Sequence, residues 1–158
     1  MLRDPIFEDP VCNLYDTHAH RERSKATVLP SDVYLSETAE ECIALVQANQ
    51  AMDALSDAAA LAANGRWRFP SSGDLIVLEA GILEDLGFHQ QATYRYQELL
   101  QELPDNEDIT VALGTCEVAA GQPEVGVRRL LEAIARSSDE GLHNRVSDYL
   151  ATLISKAA

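Results

Sequence analysis

Cationic side chains are scarce: 12 Lys and Arg stand against 26 Asp and Glu in 158 residues, a formal charge of −14. So acidic a surface repels phosphate backbones, whose binding draws mainly on Lys and Arg, and nucleic acid is disfavoured as a partner. Cysteine is sparse as well. Cys12, Cys42 and Cys116 are too few and too far apart for a disulfide framework, and their odd number leaves at least one thiol outside any internal pair. A reducing compartment fits. The longest uncharged stretch rich in apolar residues, Cys42 to Met52, falls well short of the roughly 20 residues that a membrane-spanning helix needs. The N-terminal residues also lack the basic-then-apolar order of a signal sequence. A soluble cytoplasmic protein without membrane insertion is the expectation. Neither a Gly-x-Gly-x-x-Gly pattern nor the Gly-Lys-Ser/Thr ending of a phosphate loop occurs. No long stretch alternates apolar and polar residues with the period of two that a half-buried strand requires.

At 158 residues with 46% hydrophobic content, the chain suits one domain with a core of its own. Composition changes near residue 36. Residues 1–35 contain Pro5, Pro10 and Pro30, no glycine and no sustained helical periodicity, and read as a flexible N-terminal segment, extended or disordered. Residues 36–158 read as a helical domain. Thr38 followed by Glu41 suggests a capping box, and the Gly- and Pro-free run that follows, one helix or two, ends at Asn64-Gly65 in what reads as a C-cap. Ser72-Gly73-Asp74 opens a helix with Leu75, Leu78, Ile82 and Leu86 along one stripe, closed by Gly87. Gln91 to Glu102, Glu107 to Ala120, Glu124 to Ser137 and Gly141 to Ala157 continue the alternation of helix and short turn. The fold class expected is all-α.

Pro70 and Pro104 lie 34 residues apart, as do Gly87 and Gly121. The unit from Gly73 to Asn106 places Ala80, Leu83, Gly87-Phe88, Ala92, Tyr96 and Pro104 at regular points of a helix pair. Glu107 to Glu140 repeats it with Leu113-Gly114, Gly121, Gly126, Leu130 and Ala133, but has Glu117 and Ser138 where a large apolar residue and proline would stand. Ala39 to Ser72 keeps Leu45, Ala58 and Pro70, with Val46 at a small-residue position and Asp53 at the turn. This pattern resembles the tetratricopeptide repeat. The resemblance implies an α-solenoid of about three helix pairs, with Gly141 to Ala157 as a C-terminal capping helix turning Leu142, Val146, Leu150 and Leu153 or Ile154 inward. Small residues such as Ala80, Ala92, Gly114 and Gly126 would let helices approach closely, while Phe88, Tyr96 and Leu130 fill the gaps.

In stacks of this family the first helix of each pair lines the concave face. By repeat position the partner-binding residues would be Asp74, Val77, Leu78, Gly81, Glu84 and Asp85, then Asp108, Val111, Ala112, Thr115, Val118 and Ala119. The mixture is apolar and acidic, without the Lys, Asn and Arg by which family members clamp a chaperone's terminal carboxylate. Between Phe69 and Val127 eleven acidic residues face one basic residue, Arg95, a local charge of −10. The field favours encounter with a basic partner. The function expected is non-enzymatic: an adaptor or chaperone holding a basic or amphipathic segment of a partner protein, with a homo-oligomer compatible. Size, charge and repeat count resemble type III secretion chaperones. The alternative is a permanent structural subunit or assembly factor of a larger complex.

Other chemistry reads weakly. Asp16-Thr17-His18-Ala19-His20 resembles the metal motif of amidohydrolase barrels, but such barrels need about 250 residues. Cys12, His18 and His20 could bind zinc chemically, yet no fourth ligand is evident. His89 and His143 read as exposed, and Cys42 and Cys116 as small buried hydrophobes. No cofactor is implied. Ile6, Phe7, Leu14 and Tyr15 could lie in the protein's own groove as a displaceable plug.

Overall fold

The computed structural model describes residues 36–158; the proposed tail plug and the Cys12, His18 and His20 cluster lie outside them. Among the described residues the protein is all-α. Its helices are α1 (Ala39–Ala51), α2 (Leu55–Arg68), α3 (Gly73–Asp85), α4 (His89–Glu102), α5 (Glu107–Ala119), α6 (Pro123–Arg136) and α7 (Glu140–Ala157). The repeat extends to the helix boundaries. Ala39, Gly73 and Glu107 open helices of 13 residues, and Leu55, His89 and Pro123 open helices of 14, each set stepping by 34. Between the two helices of each pair one residue takes the left-handed backbone: Asp53 (φ 58°), Gly87 (φ 81°) and Gly121 (φ 85°). Asp53, which stands where the other two pairs have glycine, therefore makes the same turn as the glycines. Asp tolerates this region better than most side chains because its short polar group can bond locally. The run after Thr38 is thus two helices.

The chain forms two compact units, one ending at Leu86 and one comprising Gly87–Ala158. Within each, helices pack against their neighbours in sequence, as in an α-solenoid repeat. In the first unit Thr38 caps α1 by accepting the Glu41 N–H at 3.2 Å, and the Glu41 carboxylate accepts the Glu37 N–H at 2.7 Å. The core joins Cys42 and Val46 of α1, Ala58, Ala59, Leu61 and Ala62 of α2, and Leu75 and Ile82 of α3. Val46 is accommodated because α2 offers alanines to that core. Each large buried aliphatic side chain contributes about 1.5–3 kcal/mol by leaving water.

Gly65 corrects the sequence reading. It lies inside α2, which continues to Arg68 with Phe69 as its C-cap, and its backbone is not left-handed. A Cβ there would overlap the Cys42 sulfur and stand 3.3 Å from Leu75. The glycine serves close packing of three helices. Sequence could not separate that role from a cap because both select the same residue.

In the second unit α5 crosses α6 where Gly114 meets Gly126. A Cβ on Gly126 would overlap the Gly114 carbonyl, and one on Gly114 would come within 2.9 Å of Leu130. This is the close approach expected of small residues. Beyond it, Leu130 packs with Leu142 and Val146 of α7. Of the remaining α7 positions, Leu150 and Leu153 are half-buried and Ile154 is 72% exposed. Leu153 therefore takes the inward place.

Candidate functional site

Asp74, Val77, Leu78, Gly81, Glu84 and Asp85 all lie on α3, and Asp108, Val111, Ala112, Thr115, Val118 and Ala119 on α5. None of them is buried. On α3 the stripe follows from helical spacing: Leu75, Ile76, Glu79, Ala80, Ile82 and Leu83 turn inward, leaving the intervening positions accessible. Val77 is 43% exposed, Leu78 rests against the first unit's core, and Asp74 and Asp85 stand in solvent.

Stepping back one repeat from this stripe gives Glu40, Ile43, Ala44 and Gln47 on α1, none of them buried. α1 and α3 pack together, Ile43 and Leu78 rest on the same core, and at these repeat positions the first unit presents Ile43, Val77 and Leu78 together with the exposed Glu40, Asp74 and Asp85. The sequence pattern places groove residues only on the two later units, since Val46 and Asp53 make Ala39 to Ser72 the least regular copy. The 34-residue register was the signal that could have found those of α1.

Residues 36–86 contain nine carboxylates against Arg66 and Arg68 alone. Arg66 is committed inward, its Nε donating to the fully buried Glu79 at 2.8 Å. Around it, Trp67 is 71% exposed, with the Arg66 guanidinium 5.5 Å from its ring, while Arg68 stacks at 5.5 Å over Phe69. Trp67 is thus an exposed aromatic side chain at the end of α2, outside the groove positions of the repeat.

The α5 positions are less uniform. Val111 leans on the Leu130 cluster, and Val118 points at Gly126, so both half-buried valines serve the α5–α6 crossing. The Thr115 hydroxyl donates to the Ala112 carbonyl at 2.8 Å. Asp108 accepts from Arg145 of α7 at 3.0 Å, an exposed pair of little stability value. Glu117, the apparent mismatch, is buried and held by two bonds from Arg129, at 2.8 and 2.9 Å. This contact is the main cause that raises the Arg129 pKa, against a smaller lowering by burial. A cavity of about 230 Å³ lined by Pro104, Asp105, Glu107, Thr110, Ala133 and Arg136 carries both signs of charge.

Cys42 and Cys116 are buried, as expected. Burial pushes the Cys42 thiol up, and Arg68 pulls it partly back. His89 and His143 are half-buried rather than exposed. His89 opens α4 and its carbonyl accepts from the Cys116 thiol at 3.7 Å, while His143 Nε2 lies 2.9 Å from the Ser137 carbonyl. Arg95, alone among the acids of its stretch, is buried and bonds Glu98 at 3.1 Å, so it does little to offset the exposed negative charge.

No protein-family model matches the sequence, and no curated protein matches it. Among the described residues, no helix is long and apolar enough to cross a membrane, and no group of three His, Cys, Asp or Glu side chains could hold a metal ion.

Proposed function

We propose that this protein is a non-enzymatic binding module of the tetratricopeptide type, an adaptor or chaperone that holds a basic or amphipathic segment of a partner protein. The observation that carries this reading is the accessible α1/α3 face, apolar at Ile43, Val77 and Leu78 and acidic at Glu40, Asp74 and Asp85. Apolar side chains supply the affinity of such a surface, and its carboxylates select the sign of the partner. A secretion chaperone in the cytoplasm, holding an export client, is the narrower form of the same reading.

Affinity capture from the native cell tests it, using the intact protein beside Val77→Asp and Asp74→Lys/Asp85→Lys variants at low and high salt. A stoichiometric partner bearing a basic amphipathic segment, lost with both variants and as salt rises, is the expected result. The reading fails if capture is indifferent to these substitutions. A permanent place in a complex is the second reading, favoured by Leu131 and Ile154, which are 48% and 72% exposed on α6 and α7. It predicts a salt-resistant set of subunits, lost instead with Leu131→Asp or Ile154→Asp.

A further inference from the structure

The α1/α3 face is preceded in the chain by a segment of complementary character. Residues 20–29 run His20-Arg21-Glu22-Arg23-Ser24-Lys25-Ala26-Thr27-Val28-Leu29, with three cations, one anion and an apolar end. The earlier stretch, with Ile6, Phe7, Leu14 and Tyr15, carries Asp4, Glu8, Asp9 and Asp16 against Arg3, so like charge sets it against this face.

We propose that the Arg21–Leu29 segment is the face's own occupant, its Lys25 beside Asp85 and its Val28-Leu29 on Val77 and Leu78, displaced when a partner's basic segment binds. This deepens, and rests on, the reading of the face as a binding surface. Dimensions permit it. Between Lys25 and Ser36 the backbone can reach about 36 Å, at 3.3–3.6 Å per residue. A 13-residue helix such as α3 is only about 20 Å long. Lys25 and Val28, three residues apart, span about 10 Å when extended, against about 10 Å along the helix from Asp85 to Leu78. A tether this short gives an effective concentration on the order of millimolar, so even a weak contact keeps the face occupied.

The full chain bearing Cys12→Ser and Ser24→Cys provides the test, since Cys42 and Cys116 are buried and a thiol-directed spin label goes to position 24. Methyl signals of Ile43, Val77 and Leu78 should lose more than half their intensity at low salt. They should recover at high salt and in Arg21→Gln/Arg23→Gln/Lys25→Gln. Equal intensities with and without those three cations would overturn the proposal, as would broadening centred on Trp67.

A synthetic Lys- and Leu-rich amphipathic peptide supplies the second readout, binding the three-Gln chain several-fold more tightly than the intact one. Equal, measurable affinity for both chains rejects the self-supplied occupant and leaves the binding surface standing. Label-dependent broadening with no peptide bound to either chain supports the occupant and removes the partner-binding reading.

Discussion

Single atoms decide the packing of the first unit. Cys42 Sγ occupies the space that a Cβ on Gly65 would need, so Gly65→Ala should destabilise despite the roughly 1 kcal/mol by which alanine is the better helix former. Overpacking a filled core costs about 1–3 kcal/mol. Cys42→Ala removes the obstructing sulfur. Denaturant unfolding of the two single variants and the double variant should therefore show a favourable coupling of about 1 kcal/mol, whereas additive effects would mean that the sulfur and the glycine do not share that space. The same thiol sets a pH limit. Burial holds its pKa above that of an exposed thiol, so its contribution is complete below the unfolded-state pKa and is lost as pH rises towards the folded one. Thermal unfolding from pH 8 to 11 should show a loss that is smaller in Cys42→Ala; equal losses would assign it to other groups.

The helix pair is where the sequence was most legible, because glycine, proline and aliphatic spacing recur with one period. Legibility stopped where different residues do one job or one residue does several. Asp53 performs a glycine's turn, and Gly65 looked like a cap while serving a helix crossing. The turn makes a two-sided prediction. A left-handed conformation costs an ordinary L-residue about 1–2 kcal/mol, less for Asp. Asp53→Gly should thus raise the unfolding free energy, by about 0.5 kcal/mol after glycine's greater unfolded freedom is subtracted. Gly121→Ala should lower it by about 1 kcal/mol, through backbone strain alone since a Cβ there meets nothing within 4 Å. Opposite signs in calorimetry are the expected outcome, and a loss in both variants would remove the equivalence of the two turns. Glu117 shows a sequence departure answered inside the helix pair. Arg129→Met leaves its buried carboxylate uncompensated and should cost about 3 kcal/mol. Glu117→Leu frees a guanidinium that is 30% exposed and can turn to water, so it should cost less than about 1 kcal/mol in urea unfolding. Equal costs would show that Arg129 is as confined as its partner.

For the whole molecule, charge is distributed by segment: residues 70–126 hold eleven acids against the buried Arg95, whereas residues 127–158 hold five basic and four acidic side chains. Sequence made this imbalance visible, along with the α3 stripe. It could not show that Val111 and Val118 on α5 are drawn into the crossing with α6, because a valine at a groove position and one at a helix contact are written alike. The two kinds of surface separate kinetically. Exposed carboxylates act over a Debye length of about 10 Å at 0.1 M salt and chiefly speed encounter, while apolar contacts set how long a complex lasts. For a basic amphipathic partner, raising NaCl from 50 to 500 mM should slow association by about tenfold or more and leave dissociation nearly unchanged. Asp74→Asn/Asp85→Asn should reproduce part of that slowing at low salt, and Val77→Ser should speed dissociation several-fold with association intact. Surface plasmon resonance separates the two rates. If salt altered neither, the acids would serve solubility, and the partner would be held by apolar contact alone, as in a fixed subunit of an assembly.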